Sequence, residues 1–103
     1  MAWPTVDTVA CWAQLDLDDG DRTVMLNVID AVIEHVAHAY DVDEDDPPLD
    51  VRQAVTMQSA RIYKRRETPT GLAGFGEGFV ARVTKLDPDV ARLLEPYEIW
   101  SLA

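Results

Sequence analysis

A helical stripe of apolar residues between Met25 and Tyr40 constrains the fold of this chain most strongly. Polar side chains fall on the opposite face of the same stretch, which is the pattern of an amphipathic helix. The inward positions are Met25, Ile29, Val32, Val36 and Tyr40, and the outward ones are Asn27, Asp30, Glu34, His38 and Asp41. At 1.5 Å per residue this helix would be about 30 Å long. It is therefore predicted to be the principal helix of the domain. It follows the aspartates at 16–21 and ends at about Tyr40.

Three further helices are predicted from local signals. Thr5 can cap a short first helix at roughly 5–14, and Asp50 with Gln53 has the spacing of a capping box that opens a third helix. The Asp87-Pro88 pair opens a short fourth helix, which stops before Pro96. The predicted inward positions of the third helix are Val51, Ala54, Val55, Gln58 and Ile62.

The connections between these helices differ in character. Residues 42–48 contain four consecutive acids and end in proline, so we expect an exposed and mobile loop. Residues 67–86 are rich in glycine and end in an alternating apolar pattern at 80–85, which predicts a long loop with a strand or hairpin. The expected fold class is mainly all-α, a small bundle of about four helices with this Gly-rich loop or short β-hairpin between the third and fourth helices.

The length of 103 residues predicts one domain, 1–103, which buries a modest share of its surface and gains stability from assembly. Residues 1–50 carry 13 acidic side chains and one basic, a net charge of −12, whereas residues 51–103 carry six acidic and eight basic, a net of +2. The overall charge of −10 disfavours stable binding to nucleic-acid phosphates. Such polarity suits subunits that meet through unlike surfaces, and equally a solvated acidic face.

No pattern of catalytic, cofactor or metal-binding residues is present. His35 and His38 lack further converging ligands, the glycines match neither a dinucleotide fingerprint nor a P-loop, and no Ser or Cys has an evident His partner. We therefore expect no enzyme activity, no cofactor and no metal site. The single Cys11 and the absence of a signal or membrane-spanning pattern favour a soluble, unexported protein in a reducing compartment.

The second half of the chain resembles a known family. Residues 60–76, with the sequence ARIYKRRETPTGLAGFG, and residues 82–90 and 93–97 look like the head-to-tail connector, or adaptor, family of tailed siphophages. The order of the predicted elements is similar to that family across nearly the whole chain: a short helix, an acidic turn, a long helix, a helix ending in basic residues, and a final Asp-Pro helix.

The resemblance implies a structural virion protein that assembles as a twelvefold ring below the portal. There it would extend the DNA channel, let DNA pass without specific binding, and dock the stopper or tail completion protein. Its location would be the neck of the virion, after assembly in the bacterial cytoplasm, and no membrane is implicated. The residues expected at the subunit or portal interface are Arg61, Arg65, Arg66, Gly71, Gly74, Phe75, Gly76, Phe79, Val80, Arg82, Tyr97 and Trp100.

An alternative function uses the same acidic stripe. A small acidic helical regulator, acting like an antitoxin, would mask a basic surface of its partner. The Gly/Phe segment and the apolar tail argue against it, because a soluble mimic needs neither.

Overall fold

The computed structural model of the chain describes residues 3–65 and 86–99. Helix α1 spans Val6–Ala13, α2 Asp19–Ala39, α3 Leu49–Arg65 and α4 Pro88–Leu94, and a 3₁₀ turn, Glu95–Tyr97, follows α4 directly. The described ranges contain four helices and no strand, apart from one isolated antiparallel bridge between Tyr40 and Glu98. The predicted mainly all-α bundle is confirmed. The strand or hairpin predicted at 80–85 lies outside the described residues, and the single domain over 1–103 stays a prediction.

Side-chain caps begin the first two helices. Thr5 Oγ1 accepts a hydrogen bond from the amide of Thr8 at 3.3 Å, as predicted, and Asp18 Oδ1 accepts one from the amide of Asp21 at 2.7 Å. The end of α1 is set by Gln14, whose φ of 57° places it in the left-handed region. This conformation lets the amide of Leu15 reach the carbonyl of Ala10 at 2.9 Å, so the chain turns sharply towards α2.

Helix α2 has the two faces that its sequence predicts. The buried positions are Met25, Val28, Ile29, Val32 and Val36. The predicted polar positions Asn27, Asp30, Glu34, His38 and Asp41 are all exposed. Tyr40 is half-buried at the C-cap, where its amide donates to the carbonyl of Val36 at 3.0 Å. The apolar face of α2 packs mainly on α3.

Helix α3 is the centre of the bundle, because it contacts α1, α2 and α4. All five of its predicted inward residues are buried, among them Gln58 and Ile62. The capping box predicted at its start is wrong. The helix begins at Leu49, so Asp50 lies inside the first turn, where its Oδ1 accepts from the amide of Val51 at 3.0 Å.

The acidic loop between α2 and α3 is only partly as predicted. Its acids at 43–46 are exposed, but Val42 is half-buried and Pro47 is buried. Asp43 Oδ1 accepts from the amides of Asp45 at 3.0 Å and Asp46 at 3.3 Å, which closes a local turn. Hydrogen bonds to the backbone thus fold the loop despite the like charges along it.

Candidate functional site

The basic end of α3 and the acidic start of α4 form one cluster of charged side chains. The guanidinium of Arg61 binds the carboxylate of Asp89 through two parallel contacts, Nη1 to Oδ1 at 2.7 Å and Nη2 to Oδ2 at 2.6 Å. Its Nη1 also donates to Asp87 Oδ2 at 3.1 Å. Asp87 accepts from Arg65 Nη2 as well, at 3.1 Å through the same oxygen. We call these four residues the α3–α4 clamp.

The clamp shifts the protonation of its members. The hydrogen bonds and positive charge of Arg61 lower the pKa of the Asp89 carboxyl to about 2, and the same bonds raise the pKa of Arg61. A two-pronged arginine–carboxylate pair is stronger and more directional than a single contact. The Asp87 side chain makes no capping bond to the amides of α4, because its oxygens serve the two arginines instead.

A second polar clamp lies at the opposite end of the C-terminal unit, by which we mean residues 86–99. Tyr97 donates its hydroxyl to Asp50 Oδ1 at 2.8 Å, and its carbonyl accepts from the amide of Asp41 at 2.7 Å. The bridge between Tyr40 and Glu98 follows directly. These contacts hold the segment after α4 against the end of α2 and the start of α3.

The buried face of the C-terminal unit lies between the two clamps. Val90 and Leu94 are fully buried and join the core formed by α2 and α3, and Leu86, Leu93 and Tyr97 pack against that core as half-buried residues. The polar contacts therefore fix the position of an element that apolar burial anchors.

Of the predicted interface residues, the structure describes Arg61, Arg65 and Tyr97. It places all three in contacts within the subunit, which gives each a structural role; their contact with another subunit or the portal stays a prediction. The remaining positions lie outside the described residues: Arg66, Gly71, Gly74, Phe75, Gly76, Phe79, Val80, Arg82 and Trp100.

Sequence reasoning missed the acidic partners of these residues. The sequence predicts Asp50 as half of a capping box and a helix start at Asp87-Pro88, but it predicts no ion pair for Asp89. Opposite charges were the only available signal, and they do not identify which of many acids lies near Arg61 across 28 positions.

The exposed acidic surface has few basic partners in the described part of the chain. Arg22 pairs with Asp7 at 2.9 Å, and both side chains are largely exposed, so the pair contributes little to stability. Arg61 and Arg65 are engaged in the α3–α4 clamp. In the described ranges, no basic side chain is placed against Asp30 or Glu34 on the outer face of α2, or against the acids at 43–45.

The histidines show no metal-site geometry. His35 is half-buried with its ring edge-to-face on Tyr40, at a centroid distance of 6.4 Å, and burial lowers the pKa of its imidazole. His38 is exposed. Within residues 3–65 and 86–99, no group of three or more His, Cys, Asp or Glu side chains is placed to hold a metal ion. The free Cys11 is exposed, so it is not one of the core's apolar residues.

Large apolar side chains are exposed on α1, α2, α3 and the C-terminal unit: Trp12, Leu26, Leu49 and Ile99. Leu49, at 71% exposure, lines a shallow open groove with Asp50, Gln53 and Leu93.

In the described ranges, no helix is both long enough and apolar enough to cross a membrane.

Comparison of the chain with protein-family models, with curated proteins and with solved structures gives no match.

Proposed function

We propose that the protein is a structural, non-enzymatic subunit of the head-to-tail connector of a tailed bacteriophage. In this function it assembles as a twelvefold ring below the portal, extends the DNA channel and docks the stopper or tail completion protein. Its site of action is the neck of the virion, and it is made in the bacterial cytoplasm.

The observation that carries the proposal is the succession of helices. A short α1, a long α2, an α3 ending in basic residues and a short α4 opening at Asp87-Pro88 follow in the order that the sequence resemblance implies. The arginines at the end of α3 contact the aspartates at the start of α4, so two of the resembling segments are joined in one piece of structure.

The surface charge supports the same function. Exposed carboxylates on α2 and at 43–46 repel DNA phosphates, so a channel wall carrying them would let DNA slide through without sticking. The small size of the domain supports assembly, because a chain of 103 residues gains stability from contacts with neighbours.

Co-expression with the portal protein encoded in the same genome tests the proposal. We expect co-purification and a ring of extra density below the portal in negative-stain images. Phe75→Ala and Phe79→Ala should weaken this assembly. We propose that these two aromatic side chains anchor the Gly-rich segment on a neighbouring subunit or on the portal. A subunit that neither forms rings nor binds the portal at any concentration contradicts the proposal.

A second candidate function is a regulator that masks a basic partner surface. The acidic outer face of α2 favours it, since complementary charge speeds association with a basic partner. It predicts single particles in the same images. It also predicts that Asp30→Lys with Glu34→Lys abolishes partner binding, whereas ring formation by a connector depends on other surfaces.

A further inference from the structure

The C-terminal unit is attached to the rest of the subunit in a separable way. In the described part of the chain, α3 is the α-helix whose backbone lies close to that of α4. The seven residues of α4 are too few to form a stable helix in isolation. Its structure therefore depends on the surface of α3 against which it packs, and we call this surface the seat. Val90 and Leu94 fill that seat, and both are completely buried.

Each end of the unit is held by a specific polar contact. Arg61 grips Asp89 in a two-pronged ion pair at the start of α4, and Asp50 accepts from Tyr97 after its end. We call the contact between α3 and the C-terminal unit the seam. In each of these polar contacts, the donor and the acceptor come from opposite sides of the seam. The seat is therefore a complete recognition site for residues 86–99, with apolar burial in the middle and directional contacts at both ends.

The chain between the two sides of this seam is long. Residues 66–85 supply 20 residues, and an extended chain spans about 3.3 Å per residue, or about 66 Å for this connection. The longest extent of the molecule is 43 Å. The covalent connection is thus long enough for the seat on a neighbouring copy to be reached.

Two of the basic side chains near the α3–α4 contact, Arg61 and Arg65, are engaged in the α3–α4 clamp, whereas Lys64 and Arg92 are exposed. The exposed apolar side chains Trp12, Leu26, Leu49 and Ile99 lie on different elements. The seam between α3 and α4 is the surface on which this sequence is already complementary to itself.

We propose that in the assembled state the C-terminal unit of each subunit docks on α3 of the neighbouring copy. The exchange forms in trans the contacts that the subunit makes in cis, so it costs only the association itself. Each copy gives its unit to one neighbour and receives a unit from another. This is a head-to-tail interface that closes into a ring when the rotation between copies permits. The inference rests on the proposed function for that closure.

Charge swapping across the Arg61–Asp89 pair tests the exchange. Arg61→Glu sets two negative groups against each other, and Asp89→Arg sets two positive groups against each other. Each variant alone should melt at a lower temperature than the wild type. The double variant carries both changes in one chain, restores opposite charges across the seam, and is the matched control.

An equimolar mixture of the two single variants, unfolded and refolded together, gives the decisive reading. When the two variants exchange their C-terminal units, the two substituted residues meet in one seam, which is then that of the double variant. The unchanged Arg61 and Asp89 meet in the other seam, which is then that of the wild type. The melting temperature of the mixture should therefore rise to lie between those of the double variant and the wild type. A mixture that melts as two independent single variants overturns the exchange.

Chemical cross-linking covers the case in which the single variants fail to fold. In a Cys11→Ser background, Arg65→Cys and Asp87→Cys place one thiol on each side of the seam, and a short bismaleimide joins them. Each of these substitutions alone, in the same background, is the control. Covalent products of two or more chains support exchange, and a cross-link confined to single chains overturns it.

The cross-link also separates the two proposals. Intrachain products within rings that are visible in negative stain contradict the exchange and leave the ring standing. Interchain products confined to dimers, with no rings at any concentration, support the exchange and contradict the ring. A protein that stays monomeric with intrachain products contradicts both.

Discussion

Tyr97 donates a 2.8 Å hydrogen bond to Asp50, joining residues 47 positions apart and tying the end of the C-terminal unit to the first turn of α3. The interaction with the Asp50 carboxylate raises the pKa of the Tyr97 hydroxyl, because it favours the protonated donor. Without this contact, the backbone bond from the Asp41 amide to the Tyr97 carbonyl loses its nearest support.

Tyr97→Phe should therefore loosen the segment after α4 while leaving the helices intact. We expect faster hydrogen exchange at the Asp41 amide and a small fall in melting temperature. Tyr40→Phe is the matched control, because the Tyr40 hydroxyl makes no hydrogen bond in the described part of the chain. Equal protection of Asp41 in wild type and Tyr97→Phe would contradict this role.

Leu94→Ala should destabilise the subunit by about 2 to 5 kcal/mol, the range for removing a fully buried leucine side chain. Leu93→Ala is the control on the neighbouring position, which is only half-buried, and should cost less. Denaturant unfolding followed by circular dichroism measures both. Equal losses would show that α4 is not seated through Leu94.

The Arg61–Asp89 pair should make stability depend on pH in the acid range. The Asp89 pKa is lowered in the folded protein from its usual 3.8 to about 2, so the pair stabilises the fold above pH 3.8. That contribution is lost as the pH falls through about 2. Asp89→Asn should flatten the dependence of unfolding free energy on pH in this window. An unchanged slope would exclude a folded-state ion pair.

His35 should contribute a second, milder dependence. Burial lowers the pKa of its imidazole below 6.5, so the neutral ring stabilises the fold above pH 6.5 and protonation opposes folding as the pH falls below that value. His35→Gln should reduce the loss of stability as the pH falls below 6.5, whereas His38→Gln, at an exposed position, should not. Thermal melts across this range give the comparison.

The helices and their faces could be predicted from sequence because they depend on local periodicity. The predicted bounds of α1, 5–14, differ from the observed Val6–Ala13 by one residue at each end, and the outward positions of α2 are all exposed. The capping box at Asp50 was wrong because tertiary contact competes with local geometry: the Asp50 carboxylate serves Tyr97 and the amide of Val51.

The contacts that fix the C-terminal unit could not be predicted for the same reason. Nothing in the local sequence around Arg61 distinguishes Asp89 from the chain's many other acids. Asp89 becomes the partner of Arg61 only because α4 packs on α3. The basic cluster at the end of α3 is predicted to lie at a subunit or portal interface, and this stays a prediction. Its described arginines bind acids of the same subunit, and the sequence did not predict those partners.

Sedimentation velocity over a concentration series tests the central claim, that this protein is a ring-forming subunit. We expect a small species at low concentration and, as the concentration rises, a discrete closed oligomer whose mass is twelve times the subunit mass of 11.5 kDa. The same oligomer should appear as rings in negative stain. A single species with the mass of one subunit throughout the series would contradict the account.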